Sequence, residues 1–174
     1  DVPVSVTALS ADMMTKQRII NAGDIANVVP NLQSVSTLGD TTPIFALRGV
    51  SMSDYSLNQA SPVATYYDEV YKGNFALLGV ALYDLERVEV LRGPQGTLYG
   101  KNTTAGAIAI TSRQPTFDFE GRAEVTVGNL AFKQAKAAIS GPLSDTVAAR
   151  FAISSTSRKG TIFNVATGNW INEQ

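Results

Sequence analysis

A glycine-rich segment at residues 91–110, LRGPQGTLYGKNTTAGAIAI, contains a Gly-Lys pair and could form a phosphate-binding loop. Such a loop needs glycine, four residues, and then Gly-Lys followed by Ser or Thr, because backbone N–H groups must converge on the phosphate. Counted from Gly100 and Lys101, the pattern fails at Gln95 and at Asn102. The dinucleotide-binding pattern G-x-G-x-x-G is also absent from the sequence. The glycines therefore indicate turn geometry rather than nucleotide binding.

The residue types present limit the chemistry further. The 174-residue chain has neither Cys nor His, which removes thiol nucleophiles, His-based triads and the usual zinc ligands. An enzyme would depend on carboxylates, Lys, Tyr or Ser alone, so we expect no enzymatic activity, metal site or bound cofactor. A net charge of -1 argues against nucleic acid as a partner, and a hydrophobic content of 44% supports a packed core. The start at Asp1 suggests an interior cut, with any leader removed together with upstream sequence.

The first part of the chain has the pattern of a small α+β domain. Hydrophobic alternation predicts strands at residues 2–9, 43–50, 62–71, 85–91 and 106–112, with a polar loop before residue 43 and a long loop at 51–61. Ser10 is predicted to cap a helix over residues 11–21, and a second short helix is predicted at 24–29. The glycine-rich segment is therefore expected to contain a strand, a Gly-Pro turn, one compact helical turn and a return strand.

From about residue 119 the sequence predicts strands that each have one apolar and one polar face. They lie at residues 121–129, 133–140 and 146–158, with a turn at 141–146. In water this pattern predicts an antiparallel meander with its apolar face on a core. Strands of about ten residues with this alternation are also typical of a membrane β-barrel, in which lipid covers one face. Alternation alone leaves both interpretations open.

Several stretches taken together resemble TonB-dependent outer-membrane receptors. They are DVPVSVTALS, ALRGV, LYDLERVEVLRGPQGTLYGKNTTAGAIAITSRQP, EGRAEVTVGN and ISGPLSDTVAARFAIS, and they cover nearly the whole chain in the family's order. The resemblance implies an α+β plug domain, a small mixed sheet with short helices, at residues 1–115. Antiparallel strands that begin a membrane β-barrel should follow at 116–174. The chain departs from the family at Ala105, where paired glycines are usual, and at Glu69, where the family has a YVDGVY-like run.

The resemblance also implies a function and partners. The family actively imports nutrients, most often ferric siderophores, across the bacterial outer membrane, so a ferric chelate is expected as transported ligand. The expected partners are the TonB energy-coupling protein, whose binding box should precede Asp1, the remainder of the β-barrel, a small-molecule nutrient and outer-membrane lipid, with no nucleic acid. One alternative is a soluble plug-like structural or interaction module, whose strands at 119–158 should bury their apolar faces. The other alternative is an enzyme.

Individual residues receive roles from the same resemblance. In the family, arginines of two Leu-Arg-Gly motifs pair with barrel glutamates, which implies this role for Arg48 and Arg92 and suggests Arg87 and Glu89 as further plug–barrel contacts. The polar segments 51–61 and 72–75 should face the ligand, because they join strands where outward loops are expected. The candidate ligand-facing residues are Ser53, Asp54, Tyr55, Asn58, Gln59, Lys72, Asn74 and Phe75. The candidate turn glycines are Gly49, Gly93, Gly96, Gly100 and Gly106. The aromatic residues Tyr66, Tyr67 and Tyr71 are expected to pack within the fold.

Overall fold

A computed structural model describes residues 5–36, 42–52, 56, 59–79, 82–160 and 162–171. The chain divides into two compact units, Asp1–Arg113 and Gln114–Gln174. The domain boundary expected from the sequence, after residue 115, lies two residues beyond this division.

Among the described residues of the first unit, seven strands form the sheets. They are β1 (Ser5–Ser10), β2 (Leu32–Ser36), β3 (Pro43–Leu47), β4 (Val63–Tyr67), β5 (Val70–Tyr71), β6 (Leu85–Arg92) and β7 (Gly106–Ser112). Five of them make one mixed sheet in the order β1-β6-β7-β4-β5, in which β4 and β7 are parallel and the other pairs are antiparallel. The remaining two, β2 and β3, form a separate antiparallel pair.

The helices of the first unit are short. They are α1 (Ala11–Lys16), α2 (Gly96–Tyr99) and two 3₁₀ helices at Ala22–Asn27 and Phe75–Leu78. Ser10 caps α1 as expected, because its hydroxyl accepts a hydrogen bond of 3.3 Å from the Met13 N–H. The helix predicted at 11–21 is too long, since α1 ends at Lys16 and Arg18 has a φ of 53° that no α-helix contains. No helix in the described ranges is long and apolar enough to cross a membrane.

Three further local predictions need correction. The segment predicted as a helix at 24–29 is the 3₁₀ helix at Ala22–Asn27, which starts earlier because Asn21 and Asp24 cap it reciprocally. The polar loop predicted before residue 43 contains β2. The single strand predicted at 62–71 is a hairpin, in which Asp68 and Glu69 turn the chain between β4 and β5 with φ values of 46° and 66°.

The hydrophobic core of the first unit confirms the alternation predicted for β6. Val88 and Val90 are fully buried, whereas Arg87 and Glu89 lie on the other face of the strand. Apolar side chains from the surrounding strands and helices complete the core, including Leu9, Ile25, Phe45, Leu47, Val63, Ile108 and Ile110. The segment between β6 and β7 contains the Gly-Pro turn and a single helical turn, α2, as predicted.

The second unit is an antiparallel meander followed by a small hairpin. Its strands are β8 (Glu120–Val127), β9 (Lys133–Ser144), β10 (Val147–Ser157), β11 (Ile162–Asn164) and β12 (Asn169–Ile171). The first three pair in the order β10-β9-β8, and the last two pair with each other. The turn predicted at 141–146 is too long, because residues 141–144 continue β9, and the β11–β12 hairpin was not predicted from the sequence.

The two faces of β8, β9 and β10 differ in polarity. Val125, Val127 and Phe151 are 79%, 75% and 66% exposed on the apolar face. The opposite face carries most of the charged residues, with Arg122 Nη2 lying 3.8 Å from Glu124 Oε2. A lipid-facing wall requires such an exposed apolar face.

Candidate functional site

Two Leu-Arg-Gly motifs, at residues 47–49 and 91–93, come together in the first unit. Arg48 and Gly49, with φ values of 52° and 80°, form a two-residue turn closed by reciprocal 3.0 Å hydrogen bonds between Leu47 and Val50. The Arg48 guanidinium lies beside the second motif, since its Nη1 is 3.9 Å from the position that a Cβ on Gly93 would occupy. The fold therefore makes one site from two motifs that are distant in sequence.

Gly106 lies between the two motifs and is paired with Arg92 across the β6–β7 ladder. A Cβ added to Gly106 would collide with the Leu91 carbonyl oxygen and would lie 2.5 Å from Leu47 Cδ2. Both neighbours belong to the Leu-Arg-Gly motifs, so the absence of a side chain at Gly106 allows them to approach each other. Gly106 was expected to form a turn, but it is the first residue of β7. Its lack of a side chain instead allows close packing of Leu91 and Leu47.

The other candidate turn glycines are of two kinds. Gly49, Gly93 and Gly100 have positive φ values, as a turn role requires. Gly96 does not, because it is the first residue of α2, and a Cβ placed there would meet nothing within 4 Å. The backbone at Gly96 therefore does not require glycine, and the turn role of this residue stays a prediction.

The arginines of the two motifs have no acidic partner in the described part of the chain. Arg48 is exposed, whereas Arg92 is half-buried and donates a hydrogen bond from Nη2 to Thr7 Oγ1. The Arg92 Nε is buried without a hydrogen-bond partner. Every ion pair found among the described residues involves other arginines. Both guanidinium groups can thus donate hydrogen bonds to carboxylates that lie outside the described residues.

The charges of Arg87 and Glu89 are already paired. Arg87 Nη1 lies 2.9 Å from Glu86 Oε1, and its Nε lies 3.4 Å from Glu89 Oε2. The hydrogen bond to Glu89, with the charge of that carboxylate, raises the pKa of Arg87. The three side chains lie on the surface, where such pairs contribute little to stability.

The candidate ligand-facing residues of the first loop are only partly described. Ser53, Asp54, Tyr55 and Asn58 lie outside the described residues. Gln59 is exposed and lines a pocket of about 260 Å³. The pocket combines both ends of the 51–61 loop with part of the glycine-rich segment, and its lining residues are Ser51, Met52, Gln59, Ala60, Ser61, Pro62, Asn102 and Thr104.

The second candidate segment, residues 72–75, follows β5. The Lys72 N–H donates a 2.8 Å hydrogen bond to the Thr65 carbonyl, so the chain continues alongside β4. Asn74 caps the following 3₁₀ helix, because its Oδ1 accepts a 2.9 Å hydrogen bond from the Ala76 N–H. Phe75 begins that helix, and its side chain lies outside the described part of the structure.

A cluster of three tyrosines lies next to this segment, formed by Tyr66, Tyr71 and Tyr99. Tyr66 is central, with its ring centroid 5.6 Å from that of Tyr71 and 5.0 Å from that of Tyr99. Its hydroxyl donates a 2.5 Å hydrogen bond to the Tyr99 carbonyl. Burial, together with the neighbouring Tyr71 and Tyr99, raises the pKa of Tyr66. Sequence patterns do not indicate this cluster, because Tyr99 comes from the glycine-rich segment rather than from an alternating strand.

A family model for the TonB-dependent receptor plug domain matches residues 1–107. The chain belongs to this plug family. Over 142 residues the plug chain is 34% identical to the pesticin receptor of Yersinia enterocolitica, covering 82% of this chain and 21% of that receptor. Over 163 residues it is 30% identical to the ferrioxamine B receptor of Salmonella typhimurium, covering 86% of this chain and 21% of that receptor.

A similar solved structure is that of the ferric yersiniabactin uptake receptor from Yersinia pestis. Its TM-score is 0.87 at 31% identity, over 97% of this chain and 26% of that chain. The likeness confirms the predicted fold class, a mixed plug sheet with short helices followed by antiparallel strands of a membrane barrel. It also confirms the predicted location in the bacterial outer membrane. The named relatives are receptors, and this chain spans about a fifth of the length of the curated ones.

Proposed function

We propose that this chain is the plug and the first barrel strands of a receptor that actively imports a ferric siderophore across the outer membrane. Residues 1–115 act as the plug, residues 116–174 begin the barrel, and a TonB energy-coupling protein supplies the energy. Relatives that are named as receptors for ferrioxamine B and ferric yersiniabactin support the choice of ligand class. The observation that carries the plug's role is the pair of adjacent Leu-Arg-Gly motifs, whose arginines lack carboxylate partners among the described residues.

The two arginines seat the plug against the rest of the barrel. A partly buried guanidinium with an unsatisfied N–H is costly, so Arg92 needs an acceptor that the described residues do not provide. A barrel carboxylate satisfies this need, and the planar guanidinium can bind it through two hydrogen bonds. The same role for Arg87 and Glu89 stays a prediction, and it has less support because each already contacts the other.

Lysine substitutions test this seating role. Arg48→Lys and Arg92→Lys keep the positive charge but remove the fork of donors, which should weaken the contact by about 1 to 3 kcal/mol where it is shielded from water. In the full-length receptor we expect more entry of a small antibiotic into cells and faster hydrogen exchange at the plug surface. Ligand affinity should stay close to that of the unsubstituted receptor.

Arg18→Lys is the matched control, because it makes the same chemical change at an exposed arginine outside the two motifs, to which no plug–barrel role is assigned. It should leave antibiotic entry unchanged. Equal effects of all three substitutions would contradict a special role for the two motifs. Loss of plug folding in Arg48→Lys or Arg92→Lys would show that these arginines stabilise the plug itself.

The ligand is proposed to contact residues 51–61 and 72–75. The pocket lined by Ser51, Gln59 and Asn102 supports this assignment for the first loop. A photoreactive ferrioxamine B or ferric yersiniabactin bound to the full-length receptor should label peptides from these two ranges. Labelling confined to other parts of the plug would contradict the assignment.

An uptake assay tests the proposed activity directly. Cells that make no siderophore and express the full-length receptor should accumulate radioactive iron from ferric yersiniabactin, ferrioxamine B or ferric pyoverdine. Accumulation should disappear in otherwise identical cells that lack the energy-coupling protein. Uptake of none of these chelates, with receptor present at normal levels in the outer membrane, would argue for a different nutrient.

A further inference from the structure

The tyrosine cluster connects two segments that are far apart in sequence. One is the candidate ligand-facing segment at residues 72–75. The other is the connection between β6 and β7 at residues 93–105, which we call the glycine loop. The contacts between them run through the side chains of Tyr71 and Asn102, whose Nδ2 donates a 3.1 Å hydrogen bond to the Tyr71 hydroxyl.

Tyr71 holds the beginning of the ligand-facing segment closely. A Cβ added to Gly73 would lie 3.0 Å from Tyr71 Cε1, so the backbone at Gly73 packs directly against the Tyr71 ring. One residue after Gly73, Asn74 accepts hydrogen bonds from the Ala76 N–H through its side chain and from the Leu77 N–H through its carbonyl, at 2.9 and 3.0 Å. The Tyr71 ring therefore contacts the backbone two residues before the 3₁₀ helix at Phe75–Leu78.

Internal hydrogen bonds hold the glycine loop, from which Asn102 contacts Tyr71. Its two ends are joined by hydrogen bonds from the Gly93 N–H to the Ala105 carbonyl and from the Gln95 N–H to the Thr103 carbonyl, at 2.9 and 3.0 Å. Inside the loop, Thr103 Oγ1 donates a 2.7 Å hydrogen bond to the Gly100 carbonyl. The loop begins at Gly93, the glycine beside which the Arg48 guanidinium lies. Asn102 thus projects from a closed loop that is continuous with the second Leu-Arg-Gly motif.

We propose that the Tyr71–Asn102 contact is a positioning link that holds the segment at residues 72–75 in place on the glycine loop. Tyr71 and Asn102 are positioning residues, which act on ligand binding through the segment. The link rests on the proposed ligand-facing role of residues 72–75. It adds a physical connection from residues 72–75 to the Leu-Arg-Gly motif at residues 91–93.

Hydrogen exchange in the full-length receptor without ligand tests the link itself. Tyr71→Phe keeps the ring against Gly73 but removes the hydroxyl. Asn102→Gly removes the amide and still accepts the φ of 71° at this position. Each variant should exchange the amides of Ala76 and Leu77 about 5- to 10-fold faster, the change expected for the loss of one side-chain hydrogen bond. The double variant should match the single variants, because both remove the same bond.

Two controls separate the link from general destabilisation. Asn102→Asp should restore exchange to the unsubstituted rate, because the Tyr71 hydroxyl can turn and donate to the carboxylate. Tyr83→Phe removes a tyrosine hydroxyl elsewhere in the plug and should leave Ala76 and Leu77 unaffected. Unchanged exchange at these amides in Tyr71→Phe and Asn102→Gly would overturn the proposal. A uniform rise across all plug strands would overturn it as well.

Binding measurements distinguish failure of the link from failure of the proposed ligand role. Affinity for ferric yersiniabactin and ferrioxamine B should fall in Tyr71→Phe and Asn102→Gly and recover in Asn102→Asp. If exchange changes as predicted while affinity for both chelates stays constant, the link stands and residues 72–75 do not contact the ligand.

Discussion

Replacing Gly106 with alanine should separate the two Leu-Arg-Gly motifs. The new Cβ would collide with the backbone carbonyl oxygen of Leu91 and would lie 2.5 Å from Leu47 Cδ2, whereas real Cβ atoms stay about 3 Å or more from other heavy atoms. The Leu91 carbonyl belongs to the β6–β7 ladder and Leu47 is fully buried, so neither neighbour can move away freely.

Overpacking of this kind typically costs about 1 to 3 kcal/mol, and the backbone contact places Gly106→Ala at about 2 to 3 kcal/mol. This corresponds to a roughly 30- to 140-fold increase in the opening equilibrium of the β6–β7 ladder. Native-state hydrogen exchange of the full-length receptor, followed on peptides from β6 and β7, measures this increase. Antibiotic entry should also rise, because both Leu-Arg-Gly motifs would be displaced.

Gly96→Ala is the matched control for this experiment. An added Cβ at Gly96 meets nothing within 4 Å, and alanine is a better helix former than glycine in α2. The control should therefore exchange as slowly as the unsubstituted receptor or more slowly. If Gly106→Ala behaved like Gly96→Ala, the close packing of the two motifs on Gly106 would not stabilise the plug.

Three further substitutions test features of β4 and its hairpin. Glu69→Gly should stabilise the plug by about 0.5 to 1 kcal/mol in hydrogen exchange, because a φ of 66° strains glutamate more than glycine loses in chain entropy. Asp68→Ala should cost about 1 kcal/mol in the same measurement, since Asp68 accepts hydrogen bonds of 2.8 and 2.7 Å from the Ser112 N–H and hydroxyl. The raised pKa of Tyr66 means that its stabilising contribution is complete below about pH 10 and is lost as pH rises through the folded-state pKa. Spectrophotometric titration should accordingly show a late-titrating tyrosine that is missing in Tyr66→Phe.

Hydrophobic alternation was sufficient to predict the elements whose side chains alternate between a buried and an exposed face. Val88 and Val90 alternate with charged residues, and β6 lies where that alternation places it. The β4–β5 hairpin was not predicted, because Asp68 and Glu69 adopt positive φ without the glycine that usually marks such a turn. What holds this turn is a long-range contact, the hydrogen bonds from Ser112 to Asp68.

The sequence predicted individual residues of the candidate site but not which of them lie close together. The family resemblance identified Arg48 and Arg92, but the position of the Arg48 guanidinium beside Gly93 is a contact between residues that are distant in sequence. The same limit applies to Tyr71 and Asn102, which meet because β4 lies next to β7 in the sheet order. A sequence pattern reports local geometry and burial, whereas these contacts are set by the arrangement of strands that are distant in sequence.

Backbone strain alone does not identify the functional part of the chain. Leu130 and Ala131 also have positive φ values, yet they only turn the chain between β8 and β9. Buried Nε atoms without a hydrogen-bond partner occur at both Arg92 and Arg158. The Leu-Arg-Gly site differs because the motif of Arg92 lies beside a second arginine, the exposed and strained Arg48. Strain can be offset by the contacts of the turn, but a buried donor without an acceptor costs free energy until a partner arrives. That cost, together with the proximity of two arginines, makes the Leu-Arg-Gly site a place where the complete receptor is expected to supply a missing carboxylate.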